Sequence, residues 1–127
     1  IEINDAFVPA YINLADVYRA MNKNGLASEV LDTVLGISPD SAVAWHSLGL
    51  VQVRQQKLEQ AIGSLQRAAE LDRADVRYSY VYAVALNSAG KAKLAIEVMQ
   101  ALGAFHRDAG NDFAAQQFMN KLNRIGR

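Results

Sequence analysis

One step of 34 residues runs through this chain and constrains it more than any other feature. Tyr11, Trp45 and Ser79 lie on it, and so do Leu14, Leu48 and Tyr82. The same step links Ala15, Gly49 and Ala83, then Ala27, Ala61 and Ala95, then Leu31, Leu65 and Met99. Within each period, apolar residues recur at three- and four-residue spacing on either side of a short polar break, which predicts two amphipathic helices joined by a turn. The small residues fall where two helix backbones approach, because a larger side chain there would hold them apart. Trp45–Arg73 carries the pattern most fully.

These residues resemble the tetratricopeptide repeat, whose pattern is a Trp-like residue, Leu-Gly, an aromatic, then Ala, a large apolar residue, Ala and a late Pro. Repeat 8–41 offers Tyr11, Leu14, Ala15, Tyr18, Ala27, Leu31, Val34 and Pro39. Repeat 42–75 offers Trp45, Leu48, Gly49, Ala61, Leu65 and Ala68, with Gln52 in the aromatic slot and Arg73 in the proline slot. Repeat 76–109 is weaker, with Ser79, Tyr82, Ala83, Leu86, Ala95, Met99 and Leu102. The resemblance implies an all-α fold, an α-α superhelix of three helix-turn-helix repeats closed by a C-terminal capping helix over 110–127. It places the whole chain, 1–127, in a single domain.

In chain order, residues 1–7 read as the remnant of a preceding repeat, since Glu2-Ile3-Asn4-Asp5 falls in phase with Glu70-Leu71-Asp72-Arg73. Pro9 suits a first helical turn. Helices are predicted at about 9–22, 26–36, 42–55, 58–71, 76–88 and 92–108, with a last one at about 111–124. The first buries Tyr11, Leu14, Ala15 and Tyr18 and ends at Asn24-Gly25. Ser41 and Asp75 precede helices as caps, and Ala89-Gly90 closes the fifth. The alternation Tyr78, Tyr80, Tyr82 suits a strand, but the 34-residue phase predicts a helix, with Tyr82 in the core, Tyr80 in a groove and Tyr78 between helices or outside. The polar face of the last helix (Gln116, Asn120, Lys121, Asn123, Arg124) suits the end of a stack.

By the family's geometry the first helix of each pair lines a concave groove. Its residues are then Ile12, Asp16, Arg19 and Ala20; Val43, His46, Leu50, Val53 and Arg54; and Arg77, Tyr80, Val84, Asn87 and Ser88. Ile12, Val43, Leu50 and Val84 would form an apolar floor for peptide side chains, and Arg19, Arg54 and Arg77 would hold a carboxylate or carbonyls through forked hydrogen bonds. The alternative is that these arginines are solvated charges on an unused face. Some family members clamp the C-terminal carboxylate of heat-shock chaperones with lysines, asparagines and an arginine. Here Ile12, Asp16 and Ser47 stand in clamp positions and only Arg77 matches in character, so that specificity is not expected.

Composition narrows the remaining function classes. Thirteen basic and thirteen acidic residues cancel, which argues against a nucleic-acid surface. There is no cysteine, hence no disulfide or thiolate metal site. No apolar run approaches the roughly 18 residues that span a bilayer. His46 and His106 have no ligand or catalytic company and read as groove or surface histidines. No hydrolase, phosphate-loop or paired-carboxylate motif occurs, so neither an enzyme nor a bound cofactor is expected. The expected function is a non-catalytic scaffold that binds a protein or peptide in the groove. The alternative is a spacer or self-association module in a larger bacterial protein, paired through an apolar N-terminal edge at Phe7, Val8 and Tyr11. Residues 77–90 with 105–110 are also similar to the repeats of bacterial proteins in which they follow a c-type multihaem region. The resemblance points to a bacterial, cytoplasmic or periplasmic protein, although the Cys-x-x-Cys-His of haem attachment is absent.

Overall fold

The computed structural model describes residues 5–108 and Asn120. A 3₁₀ turn, Asp5–Phe7, leads into six helices: α1 (Val8–Ala20), α2 (Asn24–Ile37), α3 (Ala42–Arg54), α4 (Leu58–Leu71), α5 (Val76–Ser88) and α6 (Ala92–Asp108). No strand occurs among the described residues, and the all-α helical repeat is the fold observed. The helix predicted at 111–124 lies outside the described residues, as does Ile1–Asn4 of the N-terminal remnant. The chain divides into two compact units, Ile1–Leu71 and Asp72–Arg127.

The turn inside each helix pair is the same object three times. Asn22, Gln56 and Gly90 have φ values of 62°, 61° and 80°, and they are spaced by the repeat step. One residue later, the amides of Lys23, Lys57 and Lys91 donate to the carbonyls of Tyr18, Gln52 and Leu86 at 2.8, 2.9 and 2.9 Å. A left-handed residue followed by a bond back across six residues is the Schellman ending, which satisfies carbonyls that the helix leaves open. The first helix thus ends at Ala20, closed by the left-handed Asn22, and not at Asn24-Gly25. Asn24 and Gly25 form the first turn of α2, because a left-handed Asn needs no glycine after it.

The caps between pairs follow the sequence. Ser41 accepts from the Ala44 amide at 3.2 Å, and Asp75 accepts from the Arg77 amide at 2.9 Å. Trp45 Nε1 donates to the Pro39 carbonyl at 2.8 Å, tying α3 to the loop that precedes it.

In the first unit α1 packs on α2, α2 on α3, α3 on α4, and α1 also touches α3. Its core joins Val8, Ile12 and Ala15 of α1, Ala27, Val30, Leu31 and Val34 of α2, and Ala44, Leu48 and Val51 of α3. Gly49 leaves the room that the Leu65 side chain fills. A Cβ there would lie 2.6 Å from Cγ and Cδ2 of Leu65, a fully buried side chain of α4. Gln52, in the slot where the family places an aromatic, accepts from Ser64 Oγ at 2.7 Å, so the two polar side chains satisfy each other across the α3–α4 pair.

In the second unit α5 packs on α6, burying Tyr78, Ala83, Ala85, Leu86, Ala95, Met99 and Leu102. The tyrosine series is helical, but its inward member is Tyr78, whereas Tyr82 and Tyr80 are half-buried. His106 is buried as well, in contrast to the groove or surface position expected.

Candidate functional site

In the first unit the contact between α1 and α3 brings their C-terminal turns side by side. Arg19 and Ala20 from α1 and Leu50, Val53 and Arg54 from α3 line an open recess of about 330 Å³. Leu50 is half-buried and Val53 exposed, giving the recess an apolar wall. The arginines occupy the last turn of their helices, where a cation complements the negative end of the helix dipole.

The two arginines are not equivalent. Arg19 Nη2 lies 3.8 Å from Asp16 Oδ1 one turn back, so part of its charge is answered within α1. Arg54 makes no ion pair among the described residues and is exposed. The guanidinium fork of Arg54 therefore remains open to a ligand.

The other residues assigned to the groove fall into three groups. Val43 is 47% exposed on the first turn of α3, and His46 is half-buried. Ile12 is 5% exposed and belongs to the core with Val8 and Ala15. It cannot serve as a floor, because the packing of α1 on α2 and α3 has already covered it. In the second unit Val84 and Asn87 are exposed and Tyr80 half-buried on α5.

Arg77 is held by its own helix cap. Its Nε donates to Asp75 Oδ1 at 3.3 Å and its Nη2 to Oδ2 at 3.0 Å, and its guanidinium carbon sits 5.5 Å from the ring centre of Tyr78. The hydrogen bond to Asp75 raises the Arg77 pKa above its ordinary value, and burial raises that of the Tyr78 hydroxyl. The fork expected to receive a carboxylate thus already has one.

The N-terminal edge is also composed differently from the expected set. Phe7 is 58% exposed, but Val8 is buried and Tyr11 half-buried. Among the described residues no group of three His, Asp or Glu gathers to hold a metal ion, and no helix is long and apolar enough to cross a membrane.

The family model of the tetratricopeptide repeat matches residues 12–74 and 46–111. No curated protein matches the chain. Among solved structures, the chain is similar to the type III secretion translocator chaperone SycD of Yersinia enterocolitica, at 17% identity and a TM-score of 0.77, over 98% of this chain and 87% of that one. SycD in complex with a peptide of the translocator YopD gives 18% identity and a TM-score of 0.75, over 99% and 97% of the two chains. The TPR2AB domain of yeast Sti1 in complex with pHSP90 gives 15% identity and a TM-score of 0.81, over 98% of this chain and 48% of that one.

Proposed function

The chain belongs to the tetratricopeptide repeat family, and from that premise we propose that it is a non-catalytic protein-interaction module whose peptide site is the recess at the ends of α1 and α3. In this reading, residues 8–41, 42–75 and 76–109 are its three repeats and 110–127 is its cap. Similar structures hold peptide partners, YopD in the case of SycD and pHSP90 in the case of Sti1. The observation that carries the site is the pairing of an unengaged arginine, Arg54, with the apolar wall of Leu50 and Val53. A site of this composition selects an acidic group next to a large apolar side chain, one anchored by a fork and the other by burial. Asp16, 3.8 Å from Arg19, disfavours a second carboxylate on the α1 side, which separates this specificity from the chaperone clamp.

The test uses fluorescent hexapeptides in which Asp or Glu neighbours Leu, Ile or Phe, with Asn or Gln versions as controls. Arg54→Glu should weaken binding of the acidic peptides by at least about tenfold, or about 1.4 kcal/mol, and added salt should weaken it in the wild type. Arg77→Glu should change it less than about twofold, since its cap carboxylate already occupies the fork. Equal affinity for wild type and Arg54→Glu would reject the recess as the site.

A further inference from the structure

The surroundings of the recess are graded in charge along the helix axes. In the first unit the cations are Arg19, Lys23, Arg54, Lys57 and Arg67. Arg67 lies 3.7 Å from Asp40. The other four stand in the last turns of α1 and α3 or in the turns that follow those helices. Lys23 comes three residues after Ala20, and Lys57 three after Arg54, both of which line the recess.

The two turn lysines are held from both sides. Besides the amide bonds back to Tyr18 and Gln52, their carbonyls accept from the amides of Ala27 and Ala61 at 3.1 and 2.9 Å. Each backbone is thus fixed between the helix that ends and the helix that begins, and each side chain leaves a fixed point at the turn end of the recess. Both lysines are exposed, and neither makes an ion pair among the described residues. They differ in their acidic neighbours. No acidic residue follows Lys23 in the first turn of α2. Glu59 follows Lys57 in the first turn of α4. Asp32 also senses Lys57: burial raises its carboxyl pKa, and Lys57 partly offsets that shift. Lys23 therefore keeps more of its field.

Towards the other end of the helices the character reverses. Val43 stands seven residues before Leu50, two turns away on the same face of α3, and is 47% exposed. On α1, Asp16 sits one turn before Arg19, where it repels a carboxylate placed midway along the helices. Lys23 lies past the end of α1, away from Asp16.

We propose that the peptide in the recess lies along α3, with a run of at least two acidic residues over the turns at Lys23 and Lys57 and its apolar residues toward Val43. This placement rests on the recess being the peptide site. Attraction at the turns and repulsion at Asp16 act in the same sense, so charge fixes the direction and register in which apolar side chains reach Leu50, Val53 and Val43. From Val43 to Arg54, α3 rises about 16 Å, the length of about five extended residues. A peptide of about eight residues therefore covers this stretch and the turns together. The apolar stretch beside the cations favours a polypeptide over a lipid surface.

The test uses fluorescent octapeptides of one composition, half apolar and half acidic, with the two kinds either segregated into blocks in both chain directions or alternating. The wild type should bind the better segregated peptide about fivefold more tightly than the alternating one, as two exposed charge contacts provide. Lys23→Gln with Lys57→Gln should remove most of that preference, Lys23→Gln alone contributing the larger part. These variants change exposed side chains and leave the backbone bonds of the turns in place. A spin label at the acidic end should broaden the amide signals of Lys23 and Lys57, and one at the apolar end those of Val43 and Ala44. Equal affinity for segregated and alternating peptides, with Arg54→Glu still weakening both, would overturn this placement and leave the recess as the site. A reversed labelling pattern would do the same. Affinity independent of Arg54 for every peptide would reject the recess and the placement together. Binding to phosphatidylserine vesicles that the double lysine variant loses, with no preference among peptides, would overturn the proposal in favour of a lipid surface.

Discussion

The hairpins α1–α2 and α3–α4 are built on one repeat and end their first helices with the same turn, yet they differ at five matched positions. Leu14 is exposed where Leu48 is buried. Ala15 stands where Gly49 does. Tyr18 and Val30 stand where Gln52 and Ser64 form a hydrogen bond. Asn22 is left-handed where Gln56 is. What the difference teaches is that the repeat fixes which positions face a neighbour. The presence, size and polarity of that neighbour are decided locally, and matched residues carry different energies.

The largest effect should separate Leu48 from Leu14. Leu48→Ala removes a side chain from the first unit's core and should cost about 2–5 kcal/mol in urea denaturation, whereas Leu14→Ala, on the open face, should cost no more than about 0.5 kcal/mol at low protein concentration. Comparable losses would mean that the two faces are equally covered.

Next comes the close approach of α3 and α4. Gly49→Ala puts a methyl group 2.6 Å from Leu65 and should destabilise by about 1–3 kcal/mol despite the higher helix propensity of alanine. Combining it with Leu65→Val should recover part of that loss in a double-mutant cycle.

A smaller effect lies in the polar pair. Gln52→Leu or Ser64→Val alone strands one partner and should each cost about 1–2 kcal/mol. The double variant puts apolar residues at both positions, as Leu86 and Val98 are at the matched positions of the second unit, and should be close to neutral. Additive single losses would show that the hydrogen bond is not the shared term.

The smallest lies in the turns. Gln56→Gly should raise the melting temperature, a gain of up to about 1 kcal/mol offset in part by the backbone entropy of glycine. Asn22→Gly should gain less, because Asn tolerates a left-handed backbone better than Gln does.

Most of the fold was legible because the step of 34 repeats every structural role at a fixed place. The bounds of α4, α5 and α6 and the caps at Ser41 and Asp75 follow from it. The end of α1 was misplaced by two residues, since Asn24-Gly25 offered a stronger local stop signal than the bare Asn22 that the phase with Gly90 pointed to. Burial of Ile12 and of Tyr78 could not be read from pattern, because both lie at the edge of an apolar arc whose width depends on how neighbouring helices lean. The five residues of the recess all belong to the face assigned by the family's geometry, but the engagement of Arg77 was missed. Asp75 was read only as a cap, although a carboxylate two residues before an arginine at a helix start is within reach of its side chain as well as its backbone. The Gln52–Ser64 bond had one available signal, a polar residue in an aromatic slot facing a polar residue twelve positions later.

The packing of each helix chiefly on its neighbour in sequence also sets how the chain finds this structure. With α1 on α2, α2 on α3, α3 on α4, and α5 on α6, few contacts require distant segments to meet first, so the entropy of closing loops is recovered almost as soon as it is lost. A topology of this kind folds in about microseconds to milliseconds. It can also fray from an end without dissolving as a whole, since each helix pair depends on adjacent ones and not on a common centre.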